Sequence, residues 1–105
     1  LHDKTKAAKT VYSILQQEMI EEITGELNGQ ADALNVFSDM RKNLKNSFKI
    51  ITQQSSELSH EAMKQMSITF AMQCADLIDF LKVKCESAYQ KITEEIQKQD
   101  EKDEK

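Results

Sequence analysis

The sequence predicts an all-α fold: one domain, residues 1–105, built as an elongated bundle of three helices. Three observations predict it. Among 105 residues there is no Pro and there are only two Gly, whereas an all-β domain needs turn-forming residues every few positions. Apolar residues recur at three- and four-residue steps, the period of one helix face. With 39% hydrophobic residues the chain is apolar enough to fold, and its length allows one modest core with little room for a deep pocket beside it.

The first helix is expected from about Asp3 to Asn28, with Ala8, Val11, Leu15, Met19, Ile23 and Leu27 on one stripe. Asp3 is its N-cap, although Lys6 stands where a capping-box Glu would serve better. Asn28-Gly29 ends it, because both residues tolerate the left-handed conformation. A connection this short makes the first two helices antiparallel neighbours. The second helix starts between Gln30 and Asp32. Leu34, Phe37, Leu44, Phe48, Ile51 and Leu58 fit a heptad frame in which Arg41 and Ser55 also occupy a positions. The polar run Thr52-Gln53-Gln54-Ser55-Ser56 breaks it, with Ser55 or Ser56 capping the next helix.

The third segment, about Glu57 to Gln99, carries the cleanest stripe: Met63, Met66, Phe70, Cys74, Leu77, Leu81, Cys85, Ala88, Ile92 and Ile96. Nine steps over 33 residues average about 3.67, close to the helical repeat. Unbroken, it would be roughly 60 Å long against about 38 Å for each of the others. Such a helix offers a surface for self-association. A bend near Ala75-Asp76 or Lys82–Lys84 would instead make four helices; without a Gly or Pro there, three are expected. Residues 97–105, QKQDEKDEK, read as a charged helix end or tail.

Cys74 and Cys85 lie on that stripe. On one straight helix they would project within about 20° of each other but about 16 Å apart along the axis. A disulfide needs Cα atoms within about 7 Å. Either both are buried free thiols in one helix, or the helix breaks between them and a bridge staples the turn. Neither has the CxxC spacing of a redox or zinc site.

Several functions fall away. With 14 Lys+Arg against 18 Asp+Glu and a net charge of −4, the chain lacks the electrostatic footprint of a nucleic-acid binder. No apolar run approaches a membrane span. His2 and His60 are too few for a metal site: His60-Glu61 opens like HExxH, but Lys64 stands where the second His belongs. No phosphate loop, dinucleotide fingerprint or nucleophile elbow is present. No cofactor, metal or catalytic residue is therefore expected, and the chain reads as a non-enzyme.

What remains is surface for another protein. Arg41, Lys42, Lys45 and Lys49 form a basic strip on the second helix, while Glu18, Glu21, Glu22 and Glu26 crowd the first. In an antiparallel hairpin the two rows neutralise each other; otherwise the strip docks an acidic partner. Met63 and Met66 fill gaps in the core. Met72, off the stripe, joins Val36, Ile68 and Ile78 as a candidate exposed apolar patch.

The tripartite helical layout, the start at Leu1 instead of Met, the few aromatics and the single Cys pair are similar to the albicin-type salivary proteins of anopheline mosquitoes. The resemblance covers size and helical character, and no motif carries site residues across. It implies a secreted inhibitor that binds the C3 convertase of the alternative complement pathway, with Leu1 left by signal-peptide removal. One feature departs from it, since small secreted proteins usually bridge their cysteines and a straight third helix forbids that. The expectation is thus a secreted, non-enzymatic helical protein that binds and inhibits a protein complex. Its alternative is a cytoplasmic helical adaptor or coiled-coil subunit with reduced cysteines. A bundle that opens around an apolar ligand is a third reading, disfavoured by the small core.

Overall fold

The computed structural model describes residues 2–103, and the side chains of residues 8–16 and 19–98. Within them the chain is all-α, with no strand. Its helices are α1 (His2–Ser13), α2 (Ile20–Glu26), α3 (Ala31–Gln53), α4 (His60–Lys84) and α5 (Glu86–Asp103). The count departs from three because the expected first helix is interrupted once and the expected third breaks at Cys85. The backbone is helical from His2, one residue before the expected cap Asp3. The capping side chains of Asp3 and Lys6, and the side chains beyond Lys98 in the charged end, lie outside those described, as does Leu1.

The interruption follows from spacing. Val11, Leu15, Met19, Ile23 and Leu27 stand four residues apart, so each step in an ideal α-helix overshoots a full turn by about 40°. Over this length the stripe would swing off the core. Ile14–Glu18 instead winds as a π-turn, in which the Met19 N–H donates to the Ile14 carbonyl five residues back at 3.2 Å. That wider turn takes up the overshoot, and all six stripe residues are buried. The arm ends in a turn at Leu27–Gly29, where Gly29 has φ +89°.

Between α3 and α4 the polar run forms a single 3-10 turn, Ser55–Glu57. The cap is neither Ser55 nor Ser56: Leu58 is extended, and the Ser59 side chain accepts from the Ala62 N–H at 3.1 Å. Ser55 and Ser56 are spent within the 3-10 turn, so the fourth helix starts at His60. α3 and α4 run antiparallel, since Phe48 meets Phe70 and Phe37 meets Phe80. Buried Ser47 donates to Gln73 Oε1 at 2.6 Å between them.

The second break is one residue long. Cys85 takes φ −141°, ψ 74°, its N–H still donating to the Leu81 carbonyl at 2.7 Å and its carbonyl accepting from Tyr89 at 2.9 Å. The site lies just past Lys82–Lys84, one of the two places where a bend would make a further helix, and no Gly or Pro marks it. Charge does: Lys82 and Lys84 occupy the last turn of α4 and Glu86 the first of α5, each favourable at its helix end. Lys82 Nζ also sits 5.9 Å from the Tyr89 ring centroid across the joint.

The bend returns α5 against the first arm, antiparallel to α2. Lys91 pairs with Glu22 at 2.6 Å, and the Ser87 hydroxyl donates to Glu26. No roughly 60 Å rod forms; α4 is about 37 Å long by its 25 residues, and the molecule measures 44 × 35 × 19 Å. The long helix on which self-association was expected to rest is therefore absent. The core joins the first-arm stripe to Phe37 and Leu44 of α3, Leu77 and Leu81 of α4, and Ile92 of α5. Tyr12 extends it, stacked on Phe48 with centroids 4.0 Å apart and tilted against Phe70 at 6.0 Å.

Candidate functional site

Two features remain once the core is accounted for: a groove beside α4 and the basic face of α3. The groove follows from the helical wheel of α4. Phe70, Cys74, Leu77 and Leu81 are buried. The adjoining flank carries Ser67, Ala71 and Ala75 at four-residue intervals, too small to fill the space above α1. Ala8 and Val11 of α1, with Cys74, lie at the bottom of the resulting groove, and Ile96 of α5 closes one side. Its volume is about 730 Å³, within the range of roughly 300–1,000 Å³ that small-molecule sites occupy. The expectation that so short a chain leaves little room for a deep pocket is thus corrected: the volume lies between helices whose facing side chains are small.

Met72, Ile68 and Ile78 line this groove together. Met72 is 62% and Ile68 37% exposed, which leaves unpartnered apolar surface. Val36 is exposed on α3 and does not belong to it. Met63 is half-buried and lines the groove instead of the core; Met66 is half-buried as well. Among the described residues the polar side chains of the lining are those of His60, Lys64 and Ser67, with no Asp or Glu.

The basic strip lies elsewhere, since no residue of α3 lines the groove. Lys42, Lys45 and Lys49 are exposed and Arg41 is half-buried. The expected neutralisation by the first helix is not what forms. Glu22 and Glu26 engage Lys91 and Ser87 of α5, because the returning α5 covers the side of α2 that carries them; the side chain of Glu18 lies outside those described. Among the described residues none of the four cations has an ion-pair partner. Arg41 Nε is buried without a hydrogen-bond acceptor, as is Gln16 Nε2 on the π-turn. A buried donor left unmade carries a desolvation cost of about 1–3 kcal/mol.

Cys74 and Cys85 are both buried and both free. Both are the buried free thiols of the first alternative drawn from the sequence, but the helix breaks at Cys85 itself, so they do not share one straight helix, and no bridge staples the bend. The Cys74 thiol donates to the Ala8 carbonyl at 3.5 Å, and burial pushes its pKa up to about 12. Cys85 is pushed up to about 11, first by burial and then by the Glu26 carboxylate, which repels a thiolate and accepts a hydrogen bond from the thiol. Both are poor nucleophiles, because the thiolate is the reactive form.

Among the described residues no three His, Cys, Asp or Glu side chains gather as a metal site, and no helix is long and apolar enough to cross a membrane. Sequence reasoning missed the flank of the groove. Its signal was the four-residue recurrence of small residues at Ser67, Ala71 and Ala75, next to the apolar stripe of Phe70, Cys74 and Leu77. No protein-family model matches the chain, and no curated protein or solved structure is significantly similar to it.

Proposed function

We propose that this chain is a non-enzymatic binding protein that docks an acidic surface of a partner protein through the basic face of α3. The unpaired state of Arg41, Lys42, Lys45 and Lys49 among the described residues carries this reading. The acids that would neutralise the strip are held by α5, so the strip is free for an outside partner. Lys42, Lys45 and Lys49 are exposed, so their ammonium groups can meet partner carboxylates directly. Rim charges of this kind set association rate and specificity more than raw affinity.

The resemblance to albicin-type salivary proteins makes the alternative-pathway C3 convertase the first partner to test, with the chain acting as a secreted inhibitor. The experiment is complement haemolysis with the wild type and a variant carrying Arg41, Lys42, Lys45 and Lys49 all as Ala. Inhibition by the wild type, lost in the variant and weakened by salt, supports both the partner and the docking face. No inhibition at micromolar concentration removes the convertase. Inhibition that the variant retains removes the α3 face.

A second reading, a cytoplasmic helical adaptor, is favoured by the two unbridged thiols, since free buried cysteines suit a reducing compartment. The reading frame upstream of Leu1 separates the two: a signal-peptide sequence supports secretion, and an initiator Met immediately before Leu1 supports the adaptor.

A further inference from the structure

We infer that the groove beside α4 is a binding site for a single-chain anionic amphiphile of the long-chain fatty-acid type, lying along α4 with its carboxylate at Lys64. The inference is independent of the α3 face, which shares no residue with the groove.

The distribution of polarity along the groove carries it. His60, Lys64 and Ser67 gather in the first turns of α4, and beyond them Ala71, Ala75 and Ile78 offer no polar side chain. From His60 to Ile78 the helix advances roughly 27 Å at about 1.5 Å per residue. By its described residues the site is therefore long, apolar for most of its length and polar at one end, which is the shape of an amphiphile with one chain. A compact ligand with polar groups all round would leave them unpaired along the Ala71–Ile78 stretch, at a desolvation cost.

The charge at the polar end selects the sign of the head group. Lys64 has no ion-pair partner among the described residues. In a chain with 18 acidic residues and a net charge of −4, no carboxylate is among the described residues of the lining. An anion placed at Lys64 also lies near the N-terminal end of α4, where the helix dipole favours negative charge. The depth speaks for a chain in place of a flat protein contact: the groove reaches Ala8 and Val11, which are 3% and 0% exposed.

Palmitate and its methyl ester, titrated below their aggregation limits, form the two arms of the test, with intrinsic Tyr fluorescence or calorimetry as readout. Palmitate binds with one-to-one stoichiometry. Lys64→Glu weakens palmitate about tenfold or more, as loss of a charge-assisted contact should, and leaves the ester unchanged. Ile68→Asp, at the exposed edge of the groove, weakens both while the circular dichroism stays that of the wild type. Palmitate also slows alkylation of Cys74, on the groove floor, relative to Cys85, which lines no part of it and serves as the internal control. No saturable palmitate binding overturns the inference. So do binding that Ile68→Asp leaves intact, a Lys64→Glu variant that binds palmitate as the wild type does, and faster alkylation of both thiols, which would mark palmitate as a denaturing detergent.

Discussion

The two buried thiols make alkaline pH a sharp probe of the fold. A Cys ionises at 9.0 when unperturbed, against about 12 for Cys74 and about 11 for Cys85 in the folded chain. The protonated thiol is the form the fold accommodates, so the contribution is fully present below pH 9 and is lost as pH rises towards the folded values. Each thiol then removes about 1.4 kcal/mol of stability per pH unit. With both residues at most 3% exposed, little of this is screened. Between pH 9 and about 10.5 the pair removes about 3 kcal/mol, a large share of the roughly 5–15 kcal/mol available to a domain. Urea unfolding followed by circular dichroism at a series of pH values measures the slope. Lys and Tyr titrate in the same range, so the quantity to read is the difference between the wild type and Cys74→Ala/Cys85→Ala. Parallel pH profiles for the two proteins would refute the burial of these thiols and the core described around them.

Other substitutions test separate parts of the packing. Leu77→Ala, at a position with no exposure in the centre of α4, should cost about 2–5 kcal/mol in urea unfolding. Ser47→Ala should cost about 1–2 kcal/mol by leaving Gln73 Oε1 short of its donor across α3 and α4; a matched Gln73→Leu change should recover part of it. The two glycines should respond in opposite directions. Gly25→Ala finds no atom within 4 Å of the added Cβ and should raise stability by up to about 1 kcal/mol. Gly29→Ala, at φ +89°, should lower it by about 1 kcal/mol; thermal unfolding of the pair shows the contrast.

Each stripe residue of the first arm was legible from spacing, and all six are buried. The π-turn that keeps them there was legible too, in the unbroken run of four-residue steps from Val11 to Leu27, but only if the accumulated rotation is followed along the helix. The Cys85 break is a harder case. Periodicity continues through it, from Leu81 to Cys85 to Ala88, because both helices present the same face to one core. The bend is fixed by what α5 meets on returning, chiefly Glu22 and Glu26, and such a contact between distant segments leaves no local mark beyond the change of charge from Lys84 to Glu86. The same cause explains why the acidic row was assigned to the wrong partner. Of the candidate site, Met72, Ile68 and Ile78 were recognisable as apolar residues outside the stripe. The groove they edge was not, since it depends on α1 and α5 standing apart over the small residues of α4.

The way α5 returns has a bearing on how the chain is made. The thiol of Cys74 meets Ala8 across 66 positions, and Lys91 meets Glu22 across 69. The hairpin of α3 and α4, by contrast, closes through a short connection, and helical hairpins of this kind assemble early. During synthesis the first arm emerges before its distant partners: Tyr12 waits for Phe48 of α3 and Phe70 of α4, and Glu22 and Glu26 wait longer, for α5. A nascent chain stalled before Lys91 would therefore hold the central hairpin with α1 on it but leave α2 without the cover of α5, a state exposed to misassembly and to chaperones.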